Sequence, residues 1–330
     1  DVFKSGSDSQ QFLTSHAAEE YLKNSDTLTV VRIGDGFTPA SSVASASGVT
    51  ANSFTLTTLA DGAEQNSNGT VGTNNLLVNG TENNIQYEVA NVNQAKGTFT
   101  LLIRRGDDTI NRKTILEQFN NLTLDPNSPN YIARAIGDQV FTLRDAGSTD
   151  PFLQLSGSFA NRSSYVRVSG VRNTLNYLDS NGVRRVESAT GSLPAVGSGS
   201  FSGASNGNLA HPQLFNDKIS NINNQGANMA ASTTISAYKD AIRLLKNQDE
   251  YDINMIALPG LIDNFTNHAP VITEAVNMVE SRGDCFFIAD PVEYGSSLTT
   301  VTAKADSRDS NYVAEYWPWV KIPDALSTLL

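Results

Sequence analysis

The sequence predicts an α/β core, α+β over the whole chain, that is interrupted by a long β-rich insertion. Residues 253–258 and 285–289 form two short apolar runs, and residues 270–281 between them carry apolar side chains at helical spacing. Strands that are apolar at every position are typical of sheets buried on both faces. The pattern therefore predicts a βαβ unit in a sandwich-like core, a mixed sheet flanked by helices.

Further stretches complete the predicted core. Residues 8–24 carry an amphipathic pattern that predicts a helix, and Leu28-Thr29-Val30-Val31-Arg32-Ile33 after it predicts a strand of the core sheet. Residues 232–247 predict another amphipathic helix, which leads into the first apolar run. We therefore expect a discontinuous core domain over residues 1–33 and 211–330.

Glycine, serine and asparagine dominate the middle of the chain, which predicts short strands and loops. We expect one insertion subdomain at residues 34–96 and a second at residues 97–210, mostly β. The second has a short helix near 129–136, with proline at its first position and Gly137 at its end. Residues 191–207 are dominated by Gly, Ser and Ala, which predicts a flexible surface loop. The clearest strand predictions are 54–59 as an edge strand, 85–92, 98–105 and 165–168.

Charge and hydropathy narrow the possible partners. The chain has 330 residues and a formal net charge of −11, so neither nucleic acid nor an anionic membrane is expected as a partner. No apolar run approaches the ~20 residues that a membrane-spanning helix needs. The single cysteine, Cys285, lies in a predicted buried strand, so we expect an unreactive structural thiol.

The candidates for catalysis are weak. The three histidines, His16, His211 and His268, lie in different segments without the spacing of metal ligands. Asp290 follows a predicted strand, where α/β folds bind ligands, but capping the turn at Pro291 is the favoured interpretation. His268 is favoured as the flank of a helix. We therefore expect no catalytic, cofactor-binding or metal-binding residue, and no enzyme.

Structural interpretations are also favoured for other charged and aromatic groups. The arginine pair at 104–105 predicts a solvated strand end, and the aspartate pair at 107–108 predicts a solvated turn. Tyr316-Trp317-Pro318-Trp319 contains both tryptophans of the chain. Aromatic side chains pack well on sheets, so we expect these rings to belong to the core.

Two patches of the sequence resemble one protein family. The first patch combines Leu258-Pro259-Gly260, Phe287-Ile288-Ala289-Asp290-Pro291 and Ser310-Asn311-Tyr312-Val313-Ala314-Glu315-Tyr316-Trp317-Pro318-Trp319-Val320. The second runs from Leu116-Glu117-Gln118-Phe119-Asn120-Asn121-Leu122 to Asp125-Pro126-Asn127-Ser128-Pro129-Asn130-Tyr131-Ile132. In this order they resemble contractile tail sheath proteins, which bacteriophages and related contractile injection systems carry.

The resemblance implies a structural virion protein without cofactors. Copies of the sheath subunit would form stacked hexameric rings around an inner tail tube and would meet the baseplate and the tail terminator. Contraction to a shorter lattice would drive the tube through the host envelope. The protein would be made in the host bacterial cytoplasm. Residues 38–58 and 146–207 lie outside the resemblance and would be variable, outward-facing decoration.

Two other functions stay open. The insertion, rich in Gly and Asn, also suits a receptor- or glycan-binding module of a virion, because loops on rigid scaffolds often carry binding. A hydrolase on the α/β core would use Asp290 as its carboxylate.

The resemblance also implies an assembly state. Sheath subunits are joined by terminal arms that add strands to a neighbour's sheet. The chain begins just before the first core helix and stops soon after the Trp-Pro-Trp segment, so we expect these arms to be missing. We predict a soluble monomer, or at most a weak oligomer, that forms no tubes. Sedimentation at high protein concentration tests this, and stable hexameric rings from this chain alone would contradict it.

Overall fold

The structure, a computed structural model, describes most of the chain, namely residues 13–48, 51–67, 71–72, 76–109, 111–185, 193–207 and 219–320. The chain divides into two compact units. The core unit takes in the described residues of 1–35, 143–153 and 208–330, and the β unit takes in those of 36–142 and 154–207. The predicted mixed α+β class is confirmed.

The described helices are α1 (Leu13–Leu22), α2 (Ile132–Ile136), α3 (Ser232–Leu244), α4 (Ala269–Arg282) and α5 (Leu298–Asp306), with a 3₁₀ turn at Ala63–Gln65. The described strands are β1 (Phe37–Ser45), β2 (Asn52–Asp61), β3 (Ile85–Asn93), β4 (Thr98–Arg105), β5 (Ile115–Leu122), β6 (Val140–Arg144), β7 (Phe152–Ser156), β8 (Val166–Val171), β9 (Gly197–Ser200), β10 (Ser205–Asn206), β11 (Asn223–Asn224), β12 (Ala227–Asn228), β13 (Met255–Ile262), β14 (Phe286–Asp290) and β15 (Val313–Glu315). None of these helices is long and apolar enough to cross a membrane.

The core unit is built on a parallel sheet in the order β13-β14-β15. Ile256 pairs with Phe287, and Ile288 pairs with Ala314. Parallel neighbours need a crossover of a dozen or more residues, and here α4 and then α5 supply it. The predicted βαβ unit is confirmed and continues by one further helix and strand.

One apolar cluster fills the core unit. Helix α4 contributes a continuous buried face, made of Val271, Ile272, Ala275, Val276, Met278 and Val279. Proline in its first turn and Gly283 at φ 72° after its last residue suit the start and the end of a helix. Cys285 belongs to the same cluster and is 4% exposed, so its predicted burial is confirmed. Burial raises the pKa of this thiol, which keeps it in the unreactive protonated form.

Residues 28–33 form no strand, so their predicted place in the core sheet is wrong. Val30 and Val31 are exposed, and the described strands of the core sheet pair with one another instead. A β-branched run becomes a strand only where a neighbouring strand completes its backbone hydrogen bonds. The propensity of this segment is therefore not sufficient to place it in the sheet.

Two other boundaries in the core unit differ from prediction. Pro259-Gly260 does not stop β13, because the register shifts between Ala257 and Ile262 and the strand passes the pair in a bulge. Gly260 has φ 83°, a conformation that glycine adopts without strain. In the segment that carries the aromatic residues, only Val313–Glu315 pairs with β14, so the rings predicted to pack on the sheet follow its last strand.

The β unit contains two antiparallel sheets, ordered β10-β1-β2-β8 and β5-β4-β3-β9. Both sheets contribute to one apolar cluster. Phe54 of β2 and Phe99 of β4 stack with their ring centroids 5.7 Å apart. Two sheets that bury one face against each other form a β-sandwich. Strands β3, β4 and β8 confirm the predictions at 85–92, 98–105 and 165–168.

The two predicted insertion subdomains are not separate. Their boundary at 96/97 falls in the turn between β3 and β4, which pair along their length. The first sheet takes β1 and β2 from before that boundary, and the second takes only β3. The remaining strands of both sheets come from after it, so the two halves share one core. Strand β2, predicted at an edge, lies between β1 and β8. No strand was predicted at β1, because its small Ala and Ser side chains give a weak hydrophobic pattern.

The predicted flexible loop at 191–207 is wrong wherever the structure describes it. Strand β9 pairs with β3, β10 pairs with β1, and Phe201 between them is fully buried. Gly199 lies against the ring of Tyr87, where an added Cβ would come within 2.2 Å of a ring carbon. Glycine allows this close approach, and composition alone does not separate such a strand from a flexible linker.

The predicted helix near 129–136 is present but shorter. Helix α2 begins at Ile132, and Gly137 ends it at φ 110° as expected. Ser128 does not cap the helix. Its hydroxyl oxygen accepts a hydrogen bond from the Asn130 N–H at 3.2 Å, inside the turn that precedes α2.

The contact between Gly199 and Tyr87 gives a prediction about stability. Gly199→Ala is expected to lower the free energy of unfolding by about 1–3 kcal/mol, because either the packed ring or strand β9 must move. Gly170→Ala is a matched control in another edge strand, since its Cβ would meet Thr55 Oγ1 at an ordinary 3.5 Å. Urea unfolding measures both variants. Equal stability of the two would contradict this role for Gly199.

Candidate functional site

Three acidic residues lie at the carboxyl edge of the parallel sheet, the place where open α/β sheets bind ligands. Asp263 follows β13, Asp290 ends β14 and Glu315 ends β15. The Asp263 N–H donates to the Asp290 carbonyl at 2.9 Å, which joins the ends of the first two strands. We call these residues, with Lys304 and Arg308, the carboxyl-edge cluster.

Two cations pair with two of the three carboxylates of the cluster. Lys304 Nζ lies 3.3 Å from Asp263 Oδ1, and Arg308 Nη2 donates to Asp263 Oδ2. Arg308 Nε lies 3.5 Å from Glu315 Oε1. The side chain of Asp263 is 2% exposed and that of Glu315 is 10% exposed. Removing one partner of a buried ion pair typically costs ~3–5 kcal/mol. The cluster therefore fastens the end of α5 and strand β15 to the segment after β13.

Burial changes the proton affinity of these carboxyl groups. It raises the pKa of Glu315, and the nearby Arg308 opposes that shift. Burial also raises the pKa of Asp290. Raised carboxyl pKa values occur at acid–base sites and also in structural ion-pair networks. In the described ranges, no group of three or more His, Cys, Asp or Glu is arranged to hold a metal ion.

His268 is buried at the start of α4, as its predicted role as a helix flank requires. The Ile262 N–H donates to His268 Nδ1 at 3.1 Å, so the ring accepts at that nitrogen and is neutral. Burial lowers the pKa of His268 from 6.5 to about 4, against an opposing backbone hydrogen bond at Ser220. Among the described residues, no hydrogen bond joins His268 to Asp290, the other candidate for catalysis.

His211 lies outside the described residues, and so does the side chain of His16. Sequence reasoning missed Asp263, Lys304 and Arg308. The position of Asp263 directly after an apolar strand is a signal that could have identified it. Lys304 belongs to α5, which was not predicted.

Arg104 is not a solvated strand end, because its side chain is 0% exposed. Its Nε and Nη2 donate to the Asp108 carboxylate at 2.6 and 2.8 Å, and its Nη1 donates to Glu88 at 2.9 Å. Asp108 is therefore buried rather than solvated. Gln86, which pairs with Arg104 across β3 and β4, donates to Asp108 at 2.7 Å. The buried cation is satisfied by its own neighbours, as a structural group is.

The aromatic segment after β15 is more exposed than predicted. Tyr316 is 67% exposed and Trp317 is 42% exposed, so their assignment to the core is wrong. Trp319 is half-buried and donates from Nε1 to the Val292 carbonyl at 2.8 Å. Because β15 is only three residues long, too little of the segment lies on the sheet to bury these rings.

The β unit contains a cavity of about 220 Å³, which no single stretch of the sequence predicts. Its walls come from the β3–β4 turn, from the segments after β5 and after β8, and from Leu193 before β9. Only the folded sandwich brings these segments together. This loop cavity, as we call it, is the second candidate site.

No model of a known protein family matches the chain, and no curated protein matches it. The functional inference therefore rests on the motifs and the geometry described above.

The buried ring of His268 gives a prediction about pH. The unfolded chain takes up a proton near pH 6.5, whereas the folded state resists protonation until about pH 4. Stability is therefore lost as the pH falls through this window, by about 3 kcal/mol in total. His268→Asn keeps an acceptor for the Ile262 N–H but does not titrate there.

Chemical unfolding of both proteins between pH 7 and pH 4 measures this contribution as a difference in slope. Asp290 and Glu315 have raised pKa values, so their contribution runs in the opposite direction, with stability lost as the pH rises. Both carboxyl groups are present in the two proteins and cancel in the comparison. The same pH dependence in wild type and variant would refute the assignment to His268.

Proposed function

We propose that the chain is the core of a contractile tail sheath subunit, a structural virion protein that polymerises around an inner tail tube. Contraction of the assembled sheath would drive the tube through the host envelope. The proposal rests on the sequence motifs that resemble this family and on the place of those motifs in the fold.

One observation carries the proposal. The three motifs of the last third of the chain occupy neighbouring strands of one sheet. Leu258-Pro259-Gly260 lies in β13, Phe287–Asp290 lies in β14, and the third motif contains β15. Motifs that meet in one sheet are explained by one architectural feature of a family better than by three separate coincidences.

The edge strand of the described sheet supports a role in assembly. Strand β15 ends the described sheet, and Tyr316 and Trp317 are exposed directly after it. Exposed apolar groups mark interaction sites, and an edge strand can pair with a strand of another copy. A contracting lattice needs contacts that rearrange while each subunit keeps its fold.

The ion pairs of the carboxyl-edge cluster support a structural rather than a catalytic role. Asp263 is paired with Lys304 and Arg308, and Arg308 also pairs with Glu315. Carboxylates held by internal cations strengthen the anchorage of β15 and are less available to a substrate. The proposed partners are other copies of the subunit, the inner tail tube, the baseplate and the tail terminator, in the tail of a virion.

The loop cavity favours a second candidate function, a receptor- or glycan-binding module of a virion. The predicted hydrolase gains no comparable support, since Asp290 and His268 are not joined in a catalytic arrangement among the described hydrogen bonds.

Immunogold electron microscopy of tailed particles from cells that carry this sequence tests the proposal. Antibodies raised against the purified chain are expected to label the outer surface along the whole tail. Antibodies absorbed with the purified chain beforehand are the matched control. Label confined to the tail tip or fibres would contradict the sheath role and favour the second candidate. The absence of label on intact tails would contradict both the sheath role and the binding module.

A further inference from the structure

The turn at residues 179–182 carries a reactive pair of residues on the surface of the β unit. Asparagine is chemically labile, and most of all before glycine, because glycine has no side chain to obstruct a reaction between the two residues. Both Asn181 and Gly182 are exposed, and an added Cβ at Gly182 would meet nothing within 4 Å. Space and solvent are therefore available at this peptide bond.

Few contacts hold this pair in place. The structure shows no hydrogen bond between the Asn181 side chain and any residue that it describes. The Gly182 N–H donates to the Asp179 carbonyl at 3.0 Å, and this bond must open before the Gly182 nitrogen can react. A single hydrogen bond contributes little net stability, and exposed turns open easily. The barrier that the fold adds to a reaction here is therefore small.

Two other Asn-Gly pairs of the described chain, at residues 79–80 and 206–207, are held more firmly. Asn206 Oδ1 accepts from the Ala63 N–H at 2.7 Å, and Asn206 also pairs with Phe37 in the ladder of β10 and β1. Gly80 lies against the backbone of Gly106, where an added Cβ would come within 1.8 Å of the carbonyl oxygen. Both pairs therefore need a larger rearrangement before they can react.

We infer that Asn181 is a modification site of the folded protein, at which spontaneous deamidation converts the side-chain amide to a carboxylate. The Gly182 nitrogen loses its proton to solvent and attacks Asn181 Cγ. A nitrogen–carbon bond forms, the bond from Cγ to the side-chain nitrogen breaks, and that nitrogen takes up a proton and leaves as ammonia. Water then adds to one of the two carbonyls of the ring, returns a hydrogen to the Gly182 nitrogen and leaves a carboxyl group. The product is aspartate or isoaspartate.

Either product changes the turn. The new carboxylate adds one negative charge to the net charge of −11, and isoaspartate also lengthens the main chain by one carbon. On either side of the turn, the Asp179 N–H donates to the Val183 carbonyl at 2.8 Å, and the Arg185 N–H donates to the Tyr177 carbonyl at 3.0 Å. A longer main chain does not fit this pairing, so isoaspartate loosens it. The site belongs to the β unit alone and does not depend on the sheath role.

Peptide mapping by mass spectrometry of the full chain, aged in mildly alkaline buffer with and without urea, tests the site. In native buffer the peptide with Asn181 is expected to deamidate at least about tenfold faster than those with Asn79 or Asn206, which have further contacts to break. In urea the three peptides are expected to react at similar rates, because the fold no longer protects any of them. Asn68-Gly69 lies outside the described residues and is read separately in the same map.

Asn181→Gln is the matched variant. It keeps an exposed amide, but its longer side chain must close a larger ring, so this position is expected to remain an amide over the same incubation. Hydrogen exchange at the Asp179 and Arg185 amides is expected to become faster in the aged wild type and to stay unchanged in the aged variant.

Equal rates for the three Asn-Gly pairs in native buffer, or an Asn181 that reacts only in urea, would overturn the assignment of the site. Unchanged hydrogen exchange in a chain that carries isoaspartate at this position would overturn the structural consequence. Neither result bears on the labelling of tails.

Discussion

Pairing between strands that are distant in the sequence is the constraint on which both units depend. In the β unit, β3 lies between β4, its neighbour in the chain, and β9, which comes far downstream. In the core unit, β14 is hydrogen-bonded on both sides to parallel strands, and a helical crossover connects it to each of them. A buried backbone group without a partner costs about as much as a lost hydrogen bond. A segment therefore forms a strand where another strand completes its backbone hydrogen bonds. Those pairings determine where the cores, the ion pairs and the cavity lie.

This constraint separates what the sequence predicts from what it does not. The βαβ unit is predictable because its apolar runs and the face of α4 are local patterns. Residues 28–33 form an equally clear local pattern for a strand but do not belong to the sheet. Strand β9, in contrast, is a strand although its sequence is hardly hydrophobic. Gly199 belongs there because a ring from another strand occupies the space of its side chain. That reason appears only when the partner strand is known.

The candidate sites follow the same logic. Asp290 and His268 could be singled out because their positions relative to one strand or one helix are local. The partners of the carboxyl-edge cluster were missed because α5 buries no residue and so has no apolar stripe to reveal it. Arg104 was misjudged because charged side chains are mostly exposed, and its burial depends on acceptors contributed by β3 and by the turn after β4. The walls of the loop cavity come from four separate segments, so no contiguous motif encodes it.

The core unit departs from a self-sufficient fold at one edge of its described sheet. Each of the two units has its own apolar cluster, as compact units of a chain do. In the core unit, exposed rings follow the edge strand of the described sheet, while ion pairs hold that strand in place. Departures from otherwise consistent folding rules concentrate at functional sites. In the proposed sheath, a second copy of the chain would cover the exposed rings, which would account for this departure of the core unit from a self-sufficient fold.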